Sequence, residues 1–571
     1  MRVYPELTVD AEFQSLGDLG YTGALNDRQY SFLSAQGLLG GLADMMYSWR
    51  NNPFVGFAVN SLVPTLVADM TNDRYTSDGL TASTFDDLFT HSRLGNATMV
   101  DSDGLLKWAP HNLALNSAAP ATQSIAVVSG ADYTVECTGS GSITLSGAGT
   151  GTVTEGNPVE VTASTTSLTL TVAGDVDLMW CYRSDLGGMA PVPVDARVAG
   201  STTYVPTTST AKYLPRRHNH VYENGAWVDA GTLIETEART NLATYSIPVN
   251  AQWTTGQVTI TENATTAPDG TATASEITED STANFHFARP AFITMGAVPH
   301  TVSCYLKAGT TTTASLFLAQ SGNAGAVFDL SAGTISSVSG TGNTAAIEDA
   351  GNGWYRCIVT NDGGADLVNQ VRVGVGDGAL AASNGDGVSS VYAWGLQVEA
   401  ASTPSSYIPT SGSAATRAAD TSGLTIDSSV IGAALGGSMP AAVCIQVKGR
   451  ATGNSYTTLR WYADASNYVT QEIGTTDFTF EQAASGTVDS VTGGSITSGV
   501  NVPFNIASRH GSTFINGAVG GTALTADTTP VALPDLSGTG LSVGHDFMGC
   551  IEEVRIWAVD IGDTGIAEAT A

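Results

Sequence analysis

The chain has 571 residues, a length typical of three to five domains, and its 53 acidic and 22 basic side chains give a net charge of −31. A surface this acidic repels phosphate backbones, and no apolar run reaches the ~18 residues of a membrane span, so we expect no nucleic-acid partner and no membrane insertion. Hydrophobic residues make up 42% of the chain and 64 residues are glycine, which suits extracellular β-structure and argues against a helical cytosolic enzyme.

The N-terminal part of the chain carries a repeat with a period of 17 residues. Residues 20–32 and 37–49 each contain a Gly-rich turn, then an Asn or Asp suited to capping a helix, then two aromatic residues. Each copy therefore predicts a turn followed by about two helical turns, and such a unit cannot bury its apolar face alone. We assign residues 1–90 to short helical repeats that stack on their copies or on a partner.

A longer repeat lies in the β-rich region that begins near residue 95. The segments 100–114 and 228–243 match as leading arms, and each enters a block of short runs in which polar and apolar residues alternate, the period of a half-buried strand. The segments 204–207 and 407–410 match as trailing arms, with the phrase Tyr-Val/Ile-Pro-Thr followed by arginine. One β-module with both of its arms therefore occurs twice.

These patterns predict a mainly β fold, with tandem β-sandwich domains preceded by the small helical-repeat region. The first module spans residues 91–217 and the second spans 218–420. A further β-sandwich occupies residues 421–571, where alternating strands continue as far as Trp557.

Six cysteines are spread two to each predicted β-domain, and no CxxC pair occurs, which excludes a zinc ribbon. One disulfide in each domain is one interpretation. Buried free thiols are the other, and assembly in a reducing cytoplasm favours them.

Aromatic residues in the second and last β-domains are the best candidates for a binding site. Sugars stack their C–H faces on exposed rings while Asn, Asp and Gln bind the hydroxyl groups. The glycan-binding candidates are Trp253, Phe285, His286 and Phe287 in the second module, and Trp461, Tyr462 and Asp464 in the last domain. The alternative is that each of these rings belongs to a sandwich core.

A loop rich in Asp, Asn and Gly is the one metal-site candidate. Asp377, Asn384 and Asp386 offer the hard oxygen atoms that Ca²⁺ prefers on a flexible loop, although a plain turn explains the same residues. Apart from this Ca²⁺ candidate we expect no cofactor.

Catalytic patterns are absent from the sequence. A glycosidase needs two carboxylates about 5–10 Å apart, and the pairs Glu235/Glu237 and Glu552/Glu553 stand in no catalytic motif. The histidines at positions 218 and 220 lack a third spaced ligand for a metal, and no serine-hydrolase elbow, zinc-binding helix or P-loop occurs. We therefore predict that the protein has no catalytic residues and is not an enzyme.

Six phrases in a fixed order resemble the jelly-roll, carbohydrate-binding-module-like domain of bacteriophage tail-fibre and head-spike proteins. They lie at 268–274, 305–309, 328–333, 349–357, 394–399 and 407–410, within about residues 240–420. The N-terminal repeat is similar to short helical repeats of phage tail and capsid accessory proteins. The last domain, with its final Gly-x-Ile-x-x-x-Arg-Ile-Trp strand, resembles concanavalin-A/laminin-G sandwiches.

This resemblance implies a phage virion structural protein, assembled in the host cytoplasm and released by lysis, that binds glycans of the host surface. It implies a homotrimer whose N-terminal region docks to other virion proteins. A polysaccharide depolymerase and a bacterial surface adhesin are the alternatives, and a head spike, a tail-tip fibre and a baseplate-proximal protein all fit the sequence. From the net charge we expect recognition of neutral sugars, with divalent cations offsetting the acidic surface.

Overall fold

The structure is a computed structural model, and it describes residues 54–60, 62–198, 200–319, 324–363 and 367–571. The helical repeats predicted within residues 1–53 lie outside these ranges. Within them the chain is mainly β, as predicted, and its sheets are antiparallel. In the part of the chain that is described, no helix has both the length and the apolar character needed to cross a bilayer.

Two large sheets share the largest core of the protein, and we call this unit the terminal sandwich. The strands of its first sheet are, in spatial order, Arg74–Thr76, Leu66–Asp69, Met548–Trp557, Ala442–Ala451, Val502–Gly511, Ile515–Val519 and Thr522–Ala523, with Thr232–Glu235 also paired to Met548–Trp557. The strands of its second sheet are Phe89–Thr90, Leu424–Ile426, Leu541–Asp546, Tyr456–Asp464, Asn467–Ile473, Phe478–Ala484 and Thr487–Gly493. The core between the sheets contains residues of both, among them Ile445 and Phe480.

The terminal sandwich begins much earlier in the chain than residue 421. Leu66–Asp69 pairs antiparallel with the last long strand of the chain, and Phe89 pairs with Ile426. Residues 66–90 are therefore part of this sandwich, and the structure shows no domain boundary at residue 90. The sequence pattern did not reveal this pairing because the partners are distant: Thr65 donates a hydrogen bond to a residue 491 positions away.

The first module is a smaller sandwich between the two arms predicted for it. One sheet contains Gly151–Val153, Ser142–Gly147, Ser167–Ala173 and Gln123–Ala126, and the other contains Val159–Thr162, Asp132–Thr138 and Leu178–Arg183. Every second residue of Asp132–Thr138 is buried, because successive side chains of a strand point to opposite faces. The buried face packs into a core that includes Tyr133 and Leu168.

The second module has two six-stranded sheets. The first contains Thr254–Gly256, Phe287–Arg289, Val371–Val375, Thr313–Leu318, Ala324–Asp329 and Thr334–Ser339. The second contains Val258–Thr265, Ala274–Glu279, Ser390–Glu399, His300–Ala308, Trp354–Asn361 and Asn343–Asp349. We call the solvent side of the first sheet the outer face of the second module.

Short elements connect these units. The two-stranded pairs are Thr98–Val100 with Leu106–Trp108, His111–Asn112 with Lys212–Tyr213, His220–Glu223 with Ala226–Asp229, Arg239–Asn241 with Ala415–Arg417, Ala283–Asn284 with Ser383–Asn384, and Ile293–Met295 with Leu367–Asn369. The α-helices are Phe85–Leu88, Ser428–Ala434 and Gly562–Ala569, and the 3₁₀ helices are Val55–Phe57 and Val194–Ala196. The last helix buries Ile566 against the terminal sandwich.

The predicted repeat of the two modules is confirmed by a shared set of hydrogen bonds. Asn112, in the first leading arm, donates to the carbonyl of Val205 in the trailing arm at 2.8 Å. Asn241 makes the same bond to the carbonyl of Ile408 at 2.9 Å. In each copy the amide oxygen also accepts two backbone N–H bonds. Each trailing arm is thus fastened to the leading arm of its own module.

A buried charge cluster lies where the chain passes between the modules and the terminal sandwich. We call it the junction cluster, and its members are His91, Arg93, Arg216, Glu235, Arg417 and Asp420. Asp420 pairs with Arg216 at 2.5 Å and with Arg93 at 3.1 Å. Burial would raise the pKa of Glu235, but Arg417 and Arg216 outweigh it and lower the pKa to about 2. Glu235 is therefore a buried, ion-paired carboxylate.

Trp227 lies in the hairpin formed by His220–Glu223 and Ala226–Asp229, and its ring contacts both modules. A Cβ at Gly104, in the first leading arm, would lie 1.9 Å from its ring, and a Cβ at Gly351, in the second module, would lie 2.7 Å from it. Both glycines have positive φ. The ring therefore fills a space that only glycine leaves open on either side.

All six cysteines are buried and free. Cys304 and Cys357 lie opposite each other on paired strands of the second module, and burial raises the pKa of Cys304 to about 12. The structure thus agrees with the free-thiol interpretation.

Candidate functional site

The two tryptophans predicted to bind glycans belong to cores. Trp253 is 5% exposed within the second module, and its indole N–H donates to the carbonyl of Tyr245. Trp461 is fully buried in the terminal sandwich, and its N–H donates to the carbonyl of Leu536 at 3.0 Å. Neither ring offers a face to a sugar, so the prediction is wrong for both and the core alternative holds.

Strand alternation explains why Tyr462 is partly exposed whereas the adjacent Trp461 is buried. Leu459 and Trp461 point into the core, so Arg460 and Tyr462 point to the solvent side of the second sheet of the terminal sandwich. Tyr468 faces Tyr462 across the hairpin, with ring centroids 6.2 Å apart and ring planes 28° apart. The two rings form a half-exposed platform.

The platform lies in an open groove of about 620 Å³, which we call the tyrosine groove. It is lined by Thr236, Ser422, Thr457, Arg460, Tyr462, Ala465, Tyr468, Thr470, Glu472, Glu481, His545 and Asp546. Aromatic faces beside carboxylates, hydroxyl groups and a guanidinium are the groups that bind a sugar ring and its hydroxyls.

Hydrogen bonds hold the polar groups of the groove in place. The guanidinium carbon of Arg460 lies 3.9 Å from the centroid of the Tyr462 ring, and its Nη1 donates to His545 Nε2 at 2.7 Å. Burial and Arg460 lower the pKa of His545, so the neutral ring can accept this bond. On the other side Tyr468 donates its hydroxyl to Glu481 at 3.3 Å.

Two carboxylates share the floor of the groove. The strands that carry Glu472 and Glu481 are paired, with Thr470 opposite Glu481 and Glu472 opposite Thr479, so both carboxylates point to the groove side. Burial and then the negative charge of Glu481 raise the pKa of Glu472. The groove therefore presents acidic hydrogen-bonding groups around the two rings.

Asp464, the third residue predicted in this domain, holds the hairpin turn. Its carboxylate accepts hydrogen bonds from the backbone N–H of Ser466 at 2.8 Å and from the side chain of Asn467 at 3.0 Å. It is exposed next to the groove, but its oxygens already bind the turn that places Tyr468 opposite Tyr462.

The outer face of the second module carries the other predicted aromatic residues. Phe285 and Phe287 are half-buried, and both lie beside the guanidinium of Arg372, with centroid distances of 5.5 and 4.4 Å. Phe317, on the neighbouring strand, lies 4.9 Å from the same guanidinium. Three rings and one arginine thus form a second aromatic surface.

His286, which directly precedes the strand Phe287–Arg289, is fully buried. Its Nδ1 lies 3.0 Å from the carbonyl of Gln257, and its Nε2 lies 3.1 Å from that of Thr282. Burial lowers the pKa of His286, but the surrounding carbonyls outweigh this and raise it. His286 therefore holds together the loops behind the two phenylalanines and has no face for a sugar, which corrects its assignment as a binding residue.

The predicted calcium loop is satisfied by its own hydrogen bonds at Asp386. Its carboxylate accepts the backbone N–H groups of Val388 and Ser389 and the hydroxyl of Ser389, all within 2.8 Å, and these bonds lower its pKa to about 2. Asp377 and Asn384 are exposed. Among the described residues no three His, Cys, Asp or Glu side chains are grouped as metal ligands. The geometry here is that of a turn.

Sequence reasoning missed Arg460, Tyr468, Glu472 and Glu481 in the groove, and Phe317 and Arg372 on the outer face. The hairpin signal of Asp464 to Asn467 between two tyrosines predicts that the rings meet across the turn. No local sequence pattern predicts that Phe317 and Arg372 are neighbours, because their strands are far apart in the sequence and pair only in the folded sheet.

No protein family and no curated protein matches the chain. Among solved structures, domains LG4-5 of the mouse laminin α1 chain are similar over 48% of this chain and 86% of theirs, with 10% sequence identity and a TM-score of 0.19.

Proposed function

We propose that the protein is a bacteriophage fibre or spike protein that binds glycans of the host surface through its β-sandwiches. The observation that carries the proposal is the Tyr462–Tyr468 platform in the tyrosine groove. Two neighbouring rings with hydrogen-bonding groups at their edges match the amphipathic faces of a sugar, and they lie on paired strands.

The sequence resemblance supports the virion part of the proposal. The six phrases of the fibre and spike family fall in the second module, and residues 1–53 precede the folded β units as an anchor to other virion proteins. In this scheme the protein is a homotrimer. Three copies of a weak glycan site around one three-fold axis bind a glycan-covered surface with greater avidity than a single copy. Each trailing arm is hydrogen-bonded to the leading arm of its own module.

A binding experiment tests the proposal. The purified chain should bind host cells, and Tyr462→Ala and Tyr468→Ala should each weaken binding while the protein stays folded. Tyr222→Ala, at a half-buried tyrosine outside the groove, is the matched control and should bind like the wild type. Unchanged binding by the groove variants would refute the groove as the site, and light scattering that shows a stable monomer would refute the trimer.

A polysaccharide depolymerase is the second candidate, and one observation favours it. Glu472 and Glu481 lie together in a groove with aromatic walls, and the pKa of Glu472 is raised, as a general acid requires. Release of reducing ends from host polysaccharide that is lost in Glu472→Gln would establish the enzyme. Binding without release supports the fibre alone.

A further inference from the structure

Within the described residues, two arginines on the outer face of the second module form no ion pair with a carboxylate, unlike most described arginines of this acidic chain. Arg216, Arg217, Arg417, Arg450 and Arg509 all pair with Asp or Glu. Within the described ranges, Arg289 and Arg372 make no such pair: Arg289 donates to the carbonyl of Pro290 and Arg372 donates to Gln370 and Ala379.

Strand register places the two positive charges side by side. Phe287 pairs with Gly374 and Ala288 with Val373, so the continued register sets Arg289 opposite Arg372 on the same face. Like charges directly opposite each other in a sheet are destabilising. In the described chain the hydrogen bonds of both guanidiniums go to neutral oxygens, so none of these bonds offsets the repulsion.

Neutral groups fix the guanidinium of Arg372 in place. Its Nε and Nη2 donate to the side-chain oxygen of Gln370 at 3.0 and 2.9 Å, and the rings of Phe287 and Phe317 lie 4.4 and 4.9 Å away. Burial and the charge of Arg289 lower the pKa of Arg372. Arg289 has its own ring partner, the half-exposed Phe292, at 4.2 Å.

We propose that the outer face of the second module binds the carboxylate of an acidic sugar, a uronic acid residue of a polysaccharide, at Arg289 and Arg372. Because Gln370 occupies the Nε and Nη2 edge of Arg372, the carboxylate accepts N–H bonds from the remaining guanidinium hydrogens of Arg372 and from Arg289. The phenylalanine rings of this face stack on the C–H face of the same pyranose. The proposal rests on the glycan-binding function and names the class of sugar.

This assignment replaces, for this face, the expectation of neutral sugars that followed from the net charge. Net charge governs long-range attraction, but within a screening length of about 8 Å at physiological salt the local groups dominate. The tyrosine groove carries Glu472, Glu481 and Asp546, and there the neutral-sugar expectation still applies. The two surfaces therefore select different sugars.

The test uses the full chain on a glycan array that holds matched neutral, uronate-bearing and sulfated members, at about 0.15 M salt. We expect uronate members to bind about tenfold more tightly than their neutral counterparts. Arg372→Gln and Arg289→Gln should each lose about that preference, and Arg372→Lys should keep only part of it because an ammonium lacks the planar fork. Arg197→Gln removes one positive charge from the first module and should leave the preference intact.

The outcomes separate the two proposals. Equal binding of neutral and uronate members, or uronate binding that survives both arginine variants, overturns the acidic-sugar site while leaving glycan binding in place. Equal binding of sulfated and uronate members overturns the assignment to carboxylates. Binding to no member counts against the proposed function itself. A lower melting temperature of Arg372→Gln with an unchanged uronate preference would overturn the site and assign the arginine a structural role.

Discussion

Arg216 and Arg417, which follow the trailing arms of the two modules, bind one and the same carboxylate oxygen, Oε2 of Glu235, at 2.5 and 3.0 Å. Glu235 ends a strand that pairs with the terminal sandwich. Ser406 also donates its N–H and its hydroxyl to this carboxylate. One buried side chain thus joins the ends of both modules to the third unit.

Glu235→Gln should destabilise the protein strongly. The substitution leaves two buried guanidiniums short of their anionic partner, which typically costs about 3–5 kcal/mol. Urea unfolding of the variant and of Glu237→Gln provides the measurement. Glu237 is partly exposed and pairs only with Arg239, so its loss should cost under about 1 kcal/mol. Equal effects of the two substitutions would show that the junction cluster does not hold the units together.

Trp461→Ala and Tyr462→Ala should have opposite consequences although the residues are adjacent. Removing the buried indole should lower the free energy of unfolding by about 3–5 kcal/mol, because it leaves a cavity in the core. Removing Tyr462 should leave the melting temperature nearly unchanged and weaken glycan binding by about 1–3 kcal/mol, an estimate borrowed from base–aromatic stacking. Thermal melts and binding assays on the same preparations distinguish the two. A folded Trp461→Ala protein with impaired binding would contradict this assignment.

Stability should fall between about pH 6.5 and pH 9 through His218. Its Nδ1 lies 2.7 Å from Asp229 and its Nε2 lies 3.1 Å from Asp73, and these carboxylates raise its pKa to about 9. Because the folded-state pKa exceeds the unfolded value, the stabilisation is complete below about pH 6.5 and is lost as the pH rises through 9.

The expected loss is on the order of 3 kcal/mol, because one pKa unit corresponds to about 1.4 kcal/mol, and urea unfolding across this range measures it. His218→Asn should remove this part of the pH dependence, and asparagine tolerates the φ of 57° at this position. His220→Asn, two residues away, should retain it. A flat profile in the wild type would show that His218 does not stay protonated in the folded chain.

Deletion of residues 1–53 and deletion of residues 1–90 should differ sharply. The shorter deletion keeps every described strand of the terminal sandwich, so the protein should stay folded and bind glycans while it fails to join virions. The longer deletion removes Leu66–Asp69, Arg74–Thr76 and Phe89–Thr90, which supply strands to both sheets. It should aggregate or melt well below the wild type. A stable, binding-competent product of the longer deletion would refute the role of these strands.

The fold class and the module repeat followed from local patterns in the sequence. Strand alternation has a period of two and turn residues mark strand ends, so the mainly β architecture can be predicted without knowing any partner strand. The matched arms were also visible, and in the structure their equivalent residues, Asn112 and Asn241, make equivalent bonds. These hydrogen bonds occur in both modules because each asparagine lies in the same local sequence and faces a trailing arm with the same backbone course.

What only the tertiary structure decided is which strands pair and which face of each is buried. Residues 66–90 read as a separate region, yet their hydrogen bonds go to strands near the end of the chain. Trp461 and Tyr462 are both plausible binding residues in sequence, and the core behind the sheet assigns one to each side. Arg289 and Arg372 become neighbours only through sheet register. The alternation of a strand determines that successive side chains point to opposite faces of the sheet. Long-range strand pairing determines which of the two faces is buried and which residues each side chain contacts.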